Sequence, residues 1–100
     1  MLDKIEFRSR INNLPNQVFS KTGKAAYTSF SLDDNNILHF VRVNTQKNWE
    51  INIDDLYAVY AKNDFINTTV IRDFKNAKVN SPSVAILMAI NCIDKRGYRI

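Results

Sequence analysis

The sequence is poor in the residues that form cross-links, metal sites and membrane spans. It contains one cysteine, one histidine, two glycines and two prolines. A lone cysteine excludes an intramolecular disulfide, and the apolar neighbours of Cys92 indicate a small buried side chain. One histidine and one cysteine cannot form a zinc site without carboxylates. The longest apolar run, from Val84 to Ile90, is much shorter than the ~20 residues of a transmembrane helix.

The composition that remains is that of an ordinary globular domain. Hydrophobic residues make up 45% of the 100-residue chain and charged residues 24%, which excludes an intrinsically disordered segment. The length matches one domain, so we expect residues 1–100 to fold as a single unit. The first residues lack the apolar core of a secretory signal, and we therefore expect a cytoplasmic protein with no membrane partner.

Positive and negative charges are unevenly distributed along the chain. The net charge of +4 divides into +3 over residues 1–28, −3 over residues 29–64 and +4 over residues 65–100. Basic ends around an acidic middle are compatible with a basic face for nucleic acid. They are also compatible with an ordinary solvated surface of mixed sign, which is the interpretation we favour.

Two alternating segments and one β-branched apolar segment predict three antiparallel strands. Residues 25–32 and 37–43 flank the polar turn 33–36 and form the clearest hairpin in the sequence. Residues 49–53 alternate again and predict a third strand. In the first strand the pattern places Tyr27 on the face turned away from the helices.

Residues 3–14 fit two structures. They can form an amphipathic helix or an alternating strand, and Asp3 followed by Glu6 resembles a capping pattern that favours the helix. Further along the chain, Asp54 is the predicted N-cap of a second helix.

Two more helices are predicted in the last third of the chain. Asn67 or Thr68 caps one over residues 68–75, in which Phe74 packs inward. Ser81-Pro82 begins another over residues 82–93, because serine caps well and proline suits the first helical position.

The predicted helix 82–93 has an unusual composition. None of its residues is charged and it is apolar on all sides, so we expect it to be the innermost helix. Lys95, Arg96 and Gly97 are expected to close it. The predicted fold is therefore α+β, with roughly three antiparallel strands in a meander packed against helices and a buried C-terminal helix.

Motifs for catalysis and cofactor binding are incomplete. His39 lies in the middle of a predicted strand and lacks the partners of a nucleophilic site. Residues 20–24, Ser-Lys-Thr-Gly-Lys, resemble a phosphate loop, but the first glycine of the Walker pattern is missing and a strand follows, so they predict a turn. Trp49 is more typical of a sheet anchor than of a base-stacking residue, because its charged neighbours are mostly acidic. We expect no catalytic, cofactor-binding or metal-binding residue and no enzymatic activity.

Basic residues of the C-terminal third are the strongest nucleic-acid signal. The helix 82–93 is too apolar to donate hydrogen bonds to base edges, which excludes groove reading by this helix. Sequence-independent contact with phosphates stays compatible with the surrounding cations and with the free amides at the Ser81 helix start. The candidate contact residues are Arg72, Lys75, Lys78, Lys95, Arg96 and Arg99.

Three pieces of the sequence resemble a pattern in small uncharacterised bacterial domains. They are Trp49-x-Ile51-x-Ile53-x-Asp55-Leu56, Thr68-x-x-Ile71 and Ser81-Pro82-x-x-Ala85-Ile86-Leu87. Some such domains are appended to restriction-type and other DNA-processing proteins. The resemblance implies an accessory binding module on a small α+β fold, and it supplies no catalytic residue.

The sequence thus favours a non-enzymatic binding module that acts through a protein partner or through its own copies. A sheet covered on one face leaves the other face and its edges free, and we expect Tyr27, Ile37, Val41 and Val43 to supply apolar patches there. The alternative is a nucleic-acid-binding accessory domain that uses the six basic residues.

Overall fold

The computed structural model of the chain describes residues 1–74 and 80–100. Within these residues it contains four helices and four strands. In chain order they are α1 (Lys4–Asn12), β1 (Gln17–Phe19), β2 (Ala26–Leu32), β3 (Ile37–Arg42), β4 (Lys47–Asn52), α2 (Ile53–Lys62), α3 (Thr68–Phe74) and α4 (Asn80–Ala89).

The strands form one antiparallel sheet in the order β1-β2-β3-β4, and α1, α2 and α4 pack on it. This confirms the α+β class and the three predicted strands. The predicted strand count was wrong, because β1 adds a fourth strand at one edge. β1 has only three residues, of which Val18 alone is buried, and so short a strand shows no alternation in the sequence.

An irregularity in β2 changes which of its side chains point to the core. The pairing with β3 shifts between Thr28 and Ser31, and Ser29 has a φ of +60°. The extra residue of such a bulge reverses the alternation beyond it. Tyr27 and Phe30 consequently both contact Phe40, each with ring centroids 5.7 Å away. The predicted exposure of Tyr27 was wrong, since the residue is 2% exposed and faces the helices.

The first two helices begin at side-chain caps. The Asp3 carboxylate accepts a hydrogen bond from the Glu6 amide at 2.8 Å, which confirms helix rather than strand for this segment. The second helix begins two residues earlier than predicted, because its N-cap is Asn52, whose side chain accepts a hydrogen bond from the Asp55 amide, and not Asp54. An asparagine oxygen satisfies this donor as well as an aspartate does.

The helix α3 is capped as predicted, while α4 ends earlier than predicted. The Asn67 side chain accepts from the Val70 amide at 2.9 Å. The prediction for the Phe74 side chain lies outside the described residues. α4 ends at Ala89 rather than at residue 93, because Asn91 takes a left-handed conformation with a φ of +60°. The Cys92 amide then donates back to the Leu87 carbonyl at 2.9 Å, which is the Schellman pattern.

Gly97 therefore does not close α4. It lies in a later turn, where its amide donates to the Asp94 carbonyl and its φ is +98°. Its own carbonyl accepts from the Ile66 amide at 2.8 Å, which joins the end of the chain to the segment before α3.

The core fills the space between the sheet and the helices. Phe7 of α1 stacks on Tyr60 of α2 at 5.5 Å between ring centroids. The central position of α4 is confirmed for its first two turns, where the buried residues are Pro82, Ser83, Val84, Ala85, Ile86 and Leu87. Met88 and Ala89 at its end are only half-buried, so the helix is not covered on all sides. None of the described helices is both long and apolar enough to cross a membrane.

Candidate functional site

An apolar groove lies along the β1 edge of the sheet, and we take it as the candidate binding site. It has a volume of about 510 Å³ and is bounded by β1, by the last turn of α4 and by the segment that follows. The apolar residues that line it are Pro15, Val18, Phe19, Ala85, Met88, Ala89, Ile93 and Ile100. The incomplete cover over the end of α4 is what leaves this surface open.

The backbone of β1 has hydrogen-bonding groups that none of the described strands uses. The Ser20 amide donates to the Ala25 carbonyl, so the backbone N–H of Ser20 points towards β2. The backbone groups of successive residues in an antiparallel strand point alternately to its two sides, so those of Val18, two residues earlier, also point towards β2. The N–H and C=O groups of Gln17 and Phe19 therefore point away from the sheet, towards the unpaired edge.

Two large apolar side chains stand exposed beside this edge. Phe19 is 57% exposed and Ile100 is 66% exposed. A second open groove of about 470 Å³ continues past Pro15 and Ile100 towards α1. There the Arg10 guanidinium donates to the Ile90 carbonyl at 3.0 Å, which attaches α1 to the end of α4. The exposed apolar surface thus extends from β1 to α1.

The outer face of the sheet is more polar than predicted. Ile37, Val41 and Val43 are half-buried residues of the β3 segment, and Ile37 and Val41 alternate with the buried Leu38 and Phe40. Tyr27, the fourth residue expected there, belongs to the core. This face therefore offers less apolar surface than the groove at β1.

His39 occupies the same outer face between two carboxylates. Its Nε2 lies 2.9 Å from the Asp33 carboxylate and its Nδ1 lies 3.7 Å from that of Glu50. The hydrogen bond with His39 holds the pKa of Asp33 below its ordinary value. All three side chains are more than a third exposed, so the cluster matches the predicted strand histidine with ordinary partners.

The six candidate phosphate-contact residues occupy different environments. Arg99 is a structural residue, since its guanidinium donates to the Tyr60 and Ala61 carbonyls and lies 2.9 Å from the Asp64 carboxylate. Arg72 is exposed on α3, and Lys95 and Arg96 are exposed in the turn before Gly97.

The remaining two candidates, Lys75 and Lys78, lie outside the described residues. Among the four candidates within residues 1–74 and 80–100, the structure brings Lys95 and Arg96 side by side, as sequence neighbours in one turn.

Cys92 and the carboxylates form no metal site in the described part of the chain, where no group of three ligand residues lies together. Cys92 is 1% exposed, and its burial raises the pKa of the thiol to about 11. A buried thiol with a raised pKa is a poor nucleophile.

Sequence reasoning missed the groove because it missed β1. The one available signal was Val18-Phe19, an apolar pair between Pro15 and the polar residues 20–24. Comparisons with family models, with curated proteins and with solved structures found no match to this chain. The resemblance to appended domains of DNA-processing proteins remains a prediction.

Proposed function

We propose that this chain is a non-enzymatic binding module that holds an extended apolar segment of a protein partner in the groove beside β1. The observation that carries the proposal is the coincidence of two features at one place. The outward-pointing backbone groups of Gln17 and Phe19 adjoin the apolar surface made by Met88 and Ile100.

A partner segment would bind by adding a strand to the sheet. In this mode the main-chain hydrogen bonds supply affinity, while alternate side chains of the added strand enter pockets and supply specificity. Phe19 would contact the side chains that point to the outer face, and Met88 those that point towards α4. An apolar segment is favoured because most of the groove wall is apolar.

Selection of peptides from a random displayed library tests the proposal without a known partner. We expect enrichment of short alternating apolar sequences whose affinity falls at least about tenfold for Phe19→Asp and for Gln17→Pro. The proline removes only an outward-pointing N–H, so the sheet itself keeps its hydrogen bonds. The matched control is Ile5→Asp, because Ile5 is 83% exposed on α1 and lines neither groove.

Two results contradict the proposal. One is a selection that yields no enriched sequence, and the other is enriched peptides that bind Phe19→Asp as well as the unchanged protein. Sedimentation equilibrium identifies the case in which the partner is a second copy. The mass of the unchanged protein would then rise with concentration, whereas that of Phe19→Asp would stay monomeric.

The nucleic-acid alternative rests on the exposed cations Arg72, Lys95 and Arg96. A filter-binding assay at low salt tests it, because binding through phosphates weakens steeply as salt increases. Retention that falls with salt and with the double change Lys95→Gln and Arg96→Gln supports the alternative. Absence of retention at low salt overturns it and leaves protein binding.

A further inference from the structure

A second cavity lies at the opposite end of α4 from the groove. It has a volume of about 270 Å³ and opens between the loop that follows β1, the inner face of β3 and β4, and the first residues of α4. The polar side chains that line it are Ser20, Thr22, Lys24, Arg42, Asn80 and Ser81, with Trp49 and Tyr27. The loop is the Ser-Lys-Thr-Gly-Lys sequence, in which Gly23 makes the turn with a φ of +76°.

The charge around this cavity is of one sign. Lys24 and Arg42 line it, and no acidic residue does so among residues 1–74 and 80–100. A neighbouring pocket on the other side of Thr22 adds Lys21 and again contains no acidic residue among those described. The cavity is therefore suited to an anion.

Two buried donors in the wall have no acceptor among the described residues. Neither the Arg42 Nε nor the Trp49 Nε1 is accessible to water, and neither donates to any described atom of the protein. Buried donors in folded proteins are nearly always paired, so the wall of this cavity contains donors that the described protein leaves unsatisfied. Because neither atom is itself accessible, a ligand in the cavity pairs with them only after a small shift of the Arg42 and Trp49 side chains. For a guanidinium the preferred partner is a carboxylate or phosphate oxygen.

Nearby hydroxyl groups complete the set of donors. The Ser20 Oγ accepts from the Ala25 amide at 3.1 Å and lies 3.4 Å from the Thr22 Oγ1, which orders both hydroxyls at the cavity. Since Ser81 of the first turn of α4 also lines the wall, the positive end of the helix dipole faces the same space.

We infer that this cavity binds a phosphate group of a small molecule through the Arg42 guanidinium, the Lys24 ammonium and the hydroxyls of Ser20 and Thr22. The volume supports a small ligand, because it lies just below the roughly 300–1,000 Å³ of pockets for drug-sized molecules. The site is distinct from the groove beside β1 and does not depend on the proposed protein partner.

Trp49 provides a direct reporter of binding. It is the only tryptophan in the chain, so its indole N–H gives a single resonance in a ¹H–¹⁵N spectrum. The test is a titration of the protein with inorganic phosphate and, separately, with glucose 6-phosphate. Sodium chloride of equal ionic strength is the control. The expected result is a saturable shift of the indole resonance with at least one of the two phosphates and none with chloride.

Two substitutions identify the donors. Lys24→Gln, in an exposed loop, and Arg42→Gln are each expected to weaken phosphate binding by about tenfold or more. Arg96→Gln makes the same charge change at an exposed turn and should leave binding unchanged. Phe19→Asp should also leave it unchanged, which separates this site from the groove.

The inference is overturned if chloride reproduces the shift, or if Lys24→Gln and Arg42→Gln both bind phosphate as tightly as the unchanged protein. A shift that only a single-stranded oligonucleotide produces also overturns it, because the cavity would then belong to a nucleic-acid surface rather than to a small-molecule site.

Discussion

Arg42 illustrates how one residue can favour binding over stability. Its buried Nε has no acceptor in the described protein, and an unsatisfied buried donor destabilises a fold by about 1–3 kcal/mol. Replacing such a group by an apolar one of similar length removes this penalty. If the cavity is a phosphate site, the role of Arg42 is to bind the phosphate rather than to stabilise the fold.

Arg42→Met is therefore expected to increase the free energy of unfolding by about 1 kcal/mol in phosphate-free buffer. Urea denaturation measures the change. The control, Arg96→Met, replaces an exposed arginine and should stay within about 0.5 kcal/mol of the unchanged protein. A loss of stability on Arg42→Met would show that the guanidinium has an acceptor, and the argument from orphan donors would fail.

The Asp33–His39 pair makes a prediction about pH at the same scale. His39 lowers the pKa of Asp33 in the folded protein, so Asp33 contributes stability above its ordinary pKa, which is lost as pH falls through the folded pKa. Replacing His39 by valine should move the Asp33 titration, followed by carboxyl ¹³C NMR, back towards the ordinary value.

Asp94 is the internal control for this experiment. Its pKa is lowered mainly by the backbone amide of Tyr98, which is far along the chain from His39. The Asp94 titration should therefore not change in His39→Val. An unchanged Asp33 midpoint would contradict the role given to the imidazole.

At the scale of the elements, the two glycines differ in what surrounds them. Both have positive φ, +76° at Gly23 and +98° at Gly97. A methyl group at Gly23 would meet nothing within 4 Å, whereas at Gly97 it would lie 2.5 Å from the Ile66 carbonyl oxygen. Gly97 therefore permits the close contact that joins the last turn to the segment before α3.

Gly23→Ala is expected to lower the free energy of unfolding by about 1 kcal/mol, the cost of a left-handed alanine. Gly97→Ala should lower it by about 2–4 kcal/mol, since a backbone clash adds to the same conformational cost. Thermal and urea denaturation of both variants measure the difference. Equal losses would show that the turn around Gly97 moves aside freely.

The sequence predicted the elements that have long, regular signals. The β2–β3 hairpin was predictable because an alternating segment and a β-branched apolar segment flank an Asp-Asp-Asn-Asn turn. In that turn the Asp33 side chain accepts hydrogen bonds from the amides of Asn35 and Ile37. The bulge at Ser29 was not predictable, since a serine at a positive φ leaves no mark in the sequence. The left-handed residue Asn91, after which α4 cannot continue, was not predictable either, because a glycine such as Gly97 is the stronger sequence signal for the end of a helix.

The candidate sites were harder to predict than the fold because each depends on contacts between distant parts of the chain. The groove arises where β1 meets the end of α4, and the cavity arises where the Ser20–Lys24 loop meets the start of the same helix. In the sequence this loop was interpreted as a turn, which the structure confirms. Nothing in the sequence placed Arg42 beside it.

At the scale of the whole molecule, α4 separates the two candidate sites. The helix has ten residues and is therefore about 15 Å long, with the cavity at its first turn and the groove at its last. Its middle residues Ala85, Ile86 and Leu87 are at most 1% exposed. Because the two candidate sites lie at opposite ends of this buried helix, both can be occupied at once.

The burial of Cys92 and Tyr60 makes the stability of the whole molecule sensitive to alkali. Burial raises the pKa of the Cys92 thiol from 9.0 to about 11, and burial also raises the pKa of the Tyr60 phenol. Because the pKa of each group is higher in the folded protein, each group loses its proton at a lower pH in the unfolded chain than in the folded one. The contribution to stability is therefore complete below pH 9 and is lost as pH rises towards 11.

We expect the free energy of unfolding to fall steadily between pH 9 and pH 11, as measured by urea denaturation at a series of pH values. Cys92→Ala should make this decline shallower, because it removes one of the two groups, even if the variant is less stable at neutral pH. The diagnostic quantity is the slope against pH rather than the absolute stability. A slope that is identical in the variant would mean that the thiol is not buried in the folded molecule, contrary to the 1% exposure of Cys92.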